Sequence, residues 1–205
     1  MQVQDQIGRI LEFEKTPKRI VCLVPSLTEL LVDLGLEDAI VGITKFCIHP
    51  ARLKQTKTIV GGTKSIHVEK IKALEPDVIL CNKEENSKEI VEICSKIAPT
   101  HVSDIFTIDD NLELIKQYGK LFSVESKALE ICIEINLKLT DFNQFIKNKG
   151  TKKVVYFIWK DPWMAAGNTT FINHLLQLNK FDNSYQNKER YPEVNLEEMK
   201  LNDQL

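Results

Sequence analysis

The sequence predicts an α/β protein of two lobes, each built around a parallel sheet, with one long helix joining them. Short apolar runs alternate with helical patterns through residues 1–122, which is typical of strands covered by helices on both faces. A helical pattern then continues for about 26 residues without glycine or proline, whereas an average helix has about 11 to 12. A new strand and helix follow Gly150. We therefore expect a first lobe at 1–122, a linking helix at 123–150 and a second lobe at 151–205.

The first central strand and the helix after it support this interpretation most strongly. Residues 20–24 form a continuous apolar run, as expected of a strand that is buried on both faces. Ser26 is expected to cap the following helix, with Glu29 completing a capping box, and Gly35 is expected to end it. The turn at Pro25 and Ser26 then lies at the carboxyl end of a central strand. Ligands bind at this place in doubly wound, Rossmann-like sheets.

The remaining elements follow in a regular alternation. An antiparallel strand pair is expected within residues 2–14, further strands at 39–44, 58–60, 78–81 and 101–105, and helices at 68–74, 87–97 and 109–122. In the second lobe we expect a strand at 153–159, a loop at 160–167 and a helix at 168–179. Another helix begins at Leu196, and residues 204–205 are interpreted as the start of a further strand. About 55 residues are too few for a complete second core, so this lobe is expected to be truncated.

Composition and charge exclude several classes of protein. The 27 basic and 29 acidic residues are interspersed, so no nucleic-acid partner is expected. No apolar stretch approaches the roughly 18 residues of a transmembrane helix. The five cysteines lack C-x-x-C spacing and are expected to be small core residues rather than disulfide or zinc sites. The N-terminus shows no signal-peptide pattern, so we expect either a cytoplasmic protein or a missing leader.

Several short motifs resemble those of a known family. They are Asp5-x-x-Gly8-Arg9, Pro17-Lys18-Arg19-Ile20-Val21, Pro25-Ser26-x-Thr28-Glu29, Leu34-Gly35, Val41-Gly42, Pro50, Val60-Gly61-Gly62 and Leu74-x-Pro76-Asp77-Val78-Ile79. Their order resembles that in the cobalamin- and iron-siderophore-binding proteins of ABC importers. This resemblance implies a helical-backbone periplasmic-binding domain, with two α/β lobes on one rigid helix. It also implies a monomeric carrier, not an enzyme, that works outside the inner membrane and transports a cobalt or iron chelate without any tightly bound cofactor.

The resemblance implies a ligand cleft between the lobes, lined by loops at strand ends. The candidate ligand-binding residues are Pro25, Ser26, Phe46, His49, Gly62, Thr63, Trp159, Pro162 and Trp163. Trp163 lies in a loop and is the stronger of the two tryptophans, whereas Trp159 fits equally well as a core residue that closes a strand. Thr63 stands where the vitamin B12-binding members have a tryptophan, which argues against cobalamin itself.

The resemblance also implies that two glutamates dock a membrane permease. By position they are Glu69 and Glu197, and they would meet arginines of the permease. Complementary surface charges of this kind steer docking and fix its register. The alternative is that both are solvated acids in the first turn of a helix, and Glu198 is an adjacent competitor for the second role.

Three alternatives stay open at this point. His49, in a loop that is expected to face the cleft, could ligate haem or cobalt axially, although no metal site of the protein itself is expected. A doubly wound enzyme would need a nucleophile or phosphate-binding motif, and Ser26 resembles a nucleophile elbow only superficially. A cytoplasmic carrier or sensor derived from the same fold would explain the missing leader. The main prediction is a binding protein that delivers a cobalamin, ferric siderophore or haem to an ABC importer.

Overall fold

The computed structural model describes residues 1–197, which form two compact units. The first unit comprises Met1–Asp104 and Asn111–Ile133, and the second comprises Ile105–Asp110 and the described residues from Glu134 onward. Glu198 and the strand predicted at 204–205 lie outside the described residues. None of the helices within 1–197 is long and apolar enough to cross a membrane.

An antiparallel hairpin opens the first unit, as predicted. Its strands are β1 (Gln2–Gln4) and β2 (Ile10–Glu12), and Asp5 in the connecting turn is buried. One carboxylate oxygen of Asp5 accepts the backbone N–H groups of Ile7 and Arg9, at 3.2 and 2.8 Å. The other accepts the Arg9 guanidinium at 2.8 Å and the backbone N–H of Val102 at 3.2 Å. The aspartate and arginine of the first motif therefore fasten the hairpin to the main sheet.

The main sheet of the first unit is parallel and has five strands. They are β3 (Ile20–Cys22), β4 (Ile40–Ile43), β5 (Thr58–Ile59), β6 (Val78–Asn82) and β7 (Thr100–Ser103). Their spatial order is β5-β4-β3-β6-β7, which confirms the predicted α/β alternation. The chain first builds outward on one side of β3 and then crosses to the other side. The carboxyl ends of β3 and β6 therefore flank the switch point, where doubly wound sheets bind ligands.

Helices cover both faces of this sheet. They are α1 (Pro25–Asp33), α2 (Leu53–Thr56), α3 (Val68–Ala73), α4 (Lys88–Ser95) and α5 (Ile108–Phe122). Side chains of the central strands and of α4 form one buried cluster that includes Val21, Ile79, Ile90 and Val102. Burying each such side chain stabilises the fold by roughly 1.5 to 3 kcal/mol.

The predicted cap of α1 was wrong. The N-cap is Val24, which makes no side-chain cap, and Ser26 is exposed inside the helix. Pro25 occupies the first helical position, where its fixed φ and missing N–H favour helix initiation, so the helix begins before Ser26. The predicted end is confirmed, because Gly35 adopts φ +79° and its N–H donates to the Val32 carbonyl at 2.9 Å.

The long helical pattern at 124–149 is confirmed as one continuous helix. This helix, α6 (Glu125–Ile146), runs for 22 residues without interruption. Its residues up to Ile133 belong to the first unit and those from Glu134 to the second. Ala128 and Cys132, which are one helical turn apart, are its buried residues.

The second unit contains short strands and one further helix. They are β8 (Lys152–Val154), β9 (Phe157–Trp159), β10 (Met164–Ala165), α7 (Phe171–Leu178) and β11 (Phe181–Asn183). β8 pairs in parallel with β11, whereas β9 pairs antiparallel with β10. Thr170 caps α7 by accepting the Asn173 N–H at 3.1 Å, so this helix starts later than residue 168.

The single strand predicted at 153–159 was therefore wrong. The apolar run is divided between two sheets, since residues up to Val154 pair with β11 and residues from Phe157 pair with β10. The change of partner falls at Tyr156, whose side chain is 49% exposed and whose carbonyl accepts the Ala166 N–H at 2.8 Å. An uninterrupted apolar run indicates burial but does not show which neighbour each residue pairs with.

Candidate ligand-binding site

A buried amide joins three strand ends at the switch point. The Asn86 side chain is 4% exposed, and its nitrogen donates to the carbonyls of Thr63 at 2.9 Å and Leu23 at 3.4 Å. Its oxygen accepts the backbone N–H of Asn82 at 2.9 Å. Since Thr63 and Leu23 follow β5 and β3 and Asn82 is the last residue of β6, one side chain fixes the spacing of three strand ends. Sequence reasoning missed this residue, because an asparagine in a polar loop carries no sign of its long-range partners.

The loop after β4 is fastened by a chain of buried hydrogen bonds. The Cys47 thiol lies 3.3 Å from the Thr28 hydroxyl and 3.4 Å from that of Thr44. The Thr28 hydroxyl donates to the Val24 carbonyl at 3.0 Å, at the start of α1. The Thr44 hydroxyl also accepts the Phe46 backbone N–H at 3.3 Å. These buried hydrogen bonds thus fix the backbone at Phe46, while the Phe46 ring is 51% exposed to solvent.

Two glycines shape the turn after β5. Gly61 has φ +127°, and a Cβ there would lie 2.4 Å from the Ser65 carbonyl oxygen, so only glycine fits. The N–H of Gly62 donates to the same oxygen at 2.6 Å. A Cβ on Gly62 would lie 3.1 Å from the Phe46 ring, so the ring rests directly on this glycine. The two glycines therefore allow the turn to pack closely against its own backbone and against the Phe46 ring.

We call the segments 25–26, 44–49 and 61–64, which follow β3, β4 and β5, the ligand face. Pro25 is half-buried, and Ser26 and His49 are exposed. Thr63 is 9% exposed, and its carbonyl is occupied by Asn86. The loops that contain the first-lobe candidates are therefore joined through Phe46 on Gly62 and through Asn86.

The histidines do not form a cluster with other metal-ligating side chains within the described residues. Among residues 1–197, no three His, Cys, Asp or Glu side chains are placed to hold a metal ion. His101 is fully buried, and burial lowers its pKa to about 4, so it packs as a neutral ring edge-on against Tyr118. His174 accepts the Ile108 backbone N–H at 3.3 Å. His49 is thus the histidine on the ligand face.

The cysteines are confirmed as core residues. All five are free and buried. Burial raises the pKa of the Cys22 thiol to about 12, so this thiol stays protonated at neutral pH. A protonated, buried thiol is a poor nucleophile and a poor metal ligand.

The two tryptophans of the second unit differ in exposure. Trp159 ends β9 and is 63% exposed. Trp163 is half-buried and meets Phe157 edge-to-face with ring centroids 5.0 Å apart, against a cluster that contains Ala165 and Val194. Pro162 beside it is exposed. The greater exposure of Trp159 therefore favours it over Trp163 as the ring available to a ligand. The sequence had favoured Trp163 over Trp159 as a ligand contact.

Both candidate docking acids lie on the surface. The Glu69 side chain is 85% exposed in the first turn of α3 and pairs with Lys72 at 2.9 Å. Glu197 is exposed, and its backbone N–H donates to the Asn195 side chain at 3.0 Å. Each carboxylate is therefore accessible to a partner, and the docking role stays a prediction.

The family of the chain follows from comparison with known proteins. A family model described as periplasmic binding protein matches residues 20–203. The chain belongs to this family. A relative of this periplasmic binding protein is the uncharacterised ABC transporter substrate-binding lipoprotein YvrC of Bacillus subtilis, which is 28% identical over 184 residues. The match covers 86% of this chain and 58% of that relative, so the chain spans less than two thirds of the relative's length.

Solved structures confirm the α/β fold class. The periplasmic vitamin B12-binding protein BtuF of Vibrio cholerae superposes with a TM-score of 0.81 and 20% identity, covering 91% of this chain and 73% of that one. A periplasmic haem-binding protein of Pseudomonas aeruginosa gives a TM-score of 0.80 and 22% identity, covering 89% and 68%. The family and these relatives are binding proteins, so the doubly wound enzyme alternative is not supported.

Proposed function

We propose that the protein is a substrate-binding protein that captures a metal chelate of the cobalamin, ferric siderophore or haem type and delivers it unaltered to an ABC importer. The observation that carries this proposal is the ligand face, where an exposed Phe46 ring rests on Gly62 at the carboxyl edge of a parallel sheet. A large aromatic surface on a fixed backbone suits a flat macrocycle or an aromatic siderophore. Family membership supports the same function, and it also supports a location outside the cytoplasmic membrane.

The roles of the remaining candidates follow from their exposure. On the first unit, Pro25, Ser26, His49 and Thr63 are the further proposed contacts of the ligand, because they lie on the ligand face together with Phe46. On the second unit, Trp159 offers a second exposed aromatic surface, and Pro162 and Trp163 support the loop beside it. No cofactor is needed for this function, because the metal arrives and leaves inside the ligand.

We propose that Glu69 and Glu197 contact the permease of the importer. Both side chains are exposed, and the Glu69 carboxylate pairs with the exposed Lys72 ammonium. Exposed ion pairs of this kind contribute only about 0 to 1 kcal/mol, so an arginine of a partner can replace the lysine at little cost. Such charges act on docking rate and register more than on affinity.

The experiment is a binding screen of the purified protein by absorbance and calorimetry. We expect one class among cobalamins, haemin and ferric siderophores to bind saturably with one ligand per chain, and to be recovered chemically unchanged. Phe46→Ala should weaken that binding by more than about 1 kcal/mol. Phe145→Ala is the matched control, since Phe145 is 65% exposed on α6 rather than on the ligand face. Absence of binding to every chelate, or turnover of a bound chelate, would contradict the proposal.

A further inference from the structure

We propose that the ligand carries a negatively charged group beside a flat aromatic surface, and that Lys45 and Phe46 recognise these two features together. This inference rests on the proposed function and narrows the class of chelate. The Lys45 ammonium nitrogen lies 5.1 Å from the centroid of the Phe46 ring, and both side chains are exposed. A cation at this distance from a ring face is attracted to it and remains available to an anion.

The pair is presented on a rigid base. The Lys45 backbone N–H donates to the Gly61 carbonyl at 2.8 Å, and that of Phe46 donates to the Thr44 hydroxyl at 3.3 Å. Beneath them, a Cβ on Gly62 would lie 3.1 Å from the ring and 3.5 Å from Lys45 Cε, so both side chains pack over this glycine. Groups fixed in advance lose little entropy when a ligand binds.

The charged side chains of the two segments that meet at the ring are all basic. Segments 44–50 and 61–65 contain Lys45 and Lys64 but no aspartate or glutamate. Within the described residues, neither lysine makes an ion pair: Lys45 contacts the ring, and the Lys64 ammonium donates to the Glu84 backbone carbonyl at 2.8 Å. By contrast, Lys83 pairs with Asp104 at 2.5 Å on the other side of the switch point. Lys45, which lies over the ring, can therefore attract an anion without first breaking an ion pair.

These features distinguish between classes of chelate. A ferric catecholate or a porphyrin with carboxylate side chains presents negative charge next to a π surface, so it can stack on Phe46 and pair with Lys45. A neutral ferric trihydroxamate has no aromatic surface, and cyanocobalamin is neutral overall. Only the first two satisfy the ring and the ammonium together, and Thr63 offers no second ring against a corrin.

The test compares four probes by calorimetric titration: iron(III) tris(2,3-dihydroxybenzoate), haemin, ferrichrome and cyanocobalamin. We expect one of the first two to bind about tenfold or more tightly than either of the last two, with affinity that falls as salt is raised. Lys45→Gln should weaken the preferred anion about five- to tenfold and reduce the salt dependence, whereas Lys45→Arg should preserve both. Lys96→Gln is the matched control, because Lys96 is exposed at the amino edge of the sheet and should leave binding unchanged.

The outcomes separate this inference from the proposed function. Equal or tighter binding of ferrichrome or cyanocobalamin would overturn the anionic class while leaving the chelate-binding function intact. The same holds if Lys45→Gln, shown by its thermal melt to be folded, binds the anion as tightly as the unaltered protein. If none of the four probes binds, this inference and the proposed function fail together.

Discussion

Replacing Asn86 with aspartate is expected to destabilise the first unit, and more so at pH 8 than at pH 5. The change keeps the shape of the side chain and its acceptor for Asn82, but it replaces the nitrogen that donates to Thr63 and Leu23. The lost bond at 2.9 Å is worth about 1 kcal/mol, and an unpaired buried carbonyl costs about 1 to 3 kcal/mol more. We therefore expect a loss of about 2 to 4 kcal/mol at pH 8.

The pH dependence follows from the sign of the pKa shift in the variant. Burial beside two carbonyl oxygens should raise the pKa of the new carboxyl above its unfolded value of about 3.9. A raised pKa in the folded state means that stability falls as the pH rises through the interval between the two values. At pH 5 the protonated carboxyl can still donate to Thr63, so the loss should be smaller than at pH 8.

The assay is urea unfolding at both pH values, followed by far-ultraviolet circular dichroism. Tryptophan fluorescence is unsuitable, because Trp159 and Trp163 both lie in the second unit. Asn143→Asp on α6 is the matched control, since Asn143 is exposed and should change stability by less than about 0.5 kcal/mol. Equal stability of Asn86→Asp and the unaltered protein at pH 8 would refute the role assigned to this amide.

Three further predictions concern other parts of the chain. Gly61→Ala should cost about 2 kcal/mol or more in unfolding free energy, because the Cβ would lie 2.4 Å from a carbonyl oxygen at φ +127°; a melting temperature within error of the original would contradict this. Trp159→Ala should leave stability within about 0.5 kcal/mol but weaken chelate binding, whereas Trp163→Ala should cost about 2 kcal/mol or more; the reverse pattern would restore the original ranking. Glu69→Gln and Glu197→Gln should preserve chelate affinity and reduce importer stimulation in proteoliposomes, and undiminished transport would remove them as docking residues.

The features that the sequence predicted correctly are those with local causes. The strands of the first unit are short apolar runs, since parallel strands are covered on both faces, and such runs stand out from amphipathic helices. Gly35 ended α1 because its positive φ depends only on neighbouring residues. The long helix was predicted for the same reason, as neither glycine nor proline interrupts residues 125–146.

The features that were missed depend on distant partners or on competing local signals. Ser26 and Glu29 matched a capping box, but Pro25 at the first helical position took precedence. The division of 153–159 between two sheets depends on β10 and β11, which come later in the chain. Asn86 could not be singled out, because its partners lie 23 and 63 residues away.

The turn between β1 and β2 has a consequence for how the protein behaves at high concentration. Strand β7 is an edge strand of the main sheet. An edge strand with unpaired backbone groups can pair with a strand of a neighbouring molecule and so initiate aggregation. Here the Val102 amide is already engaged by the Asp5 carboxylate, and the Thr100 carbonyl by the Arg9 guanidinium at 2.6 Å. The Asp5–Arg9 ion pair thus occupies two backbone groups of β7 that an incoming strand would need for pairing.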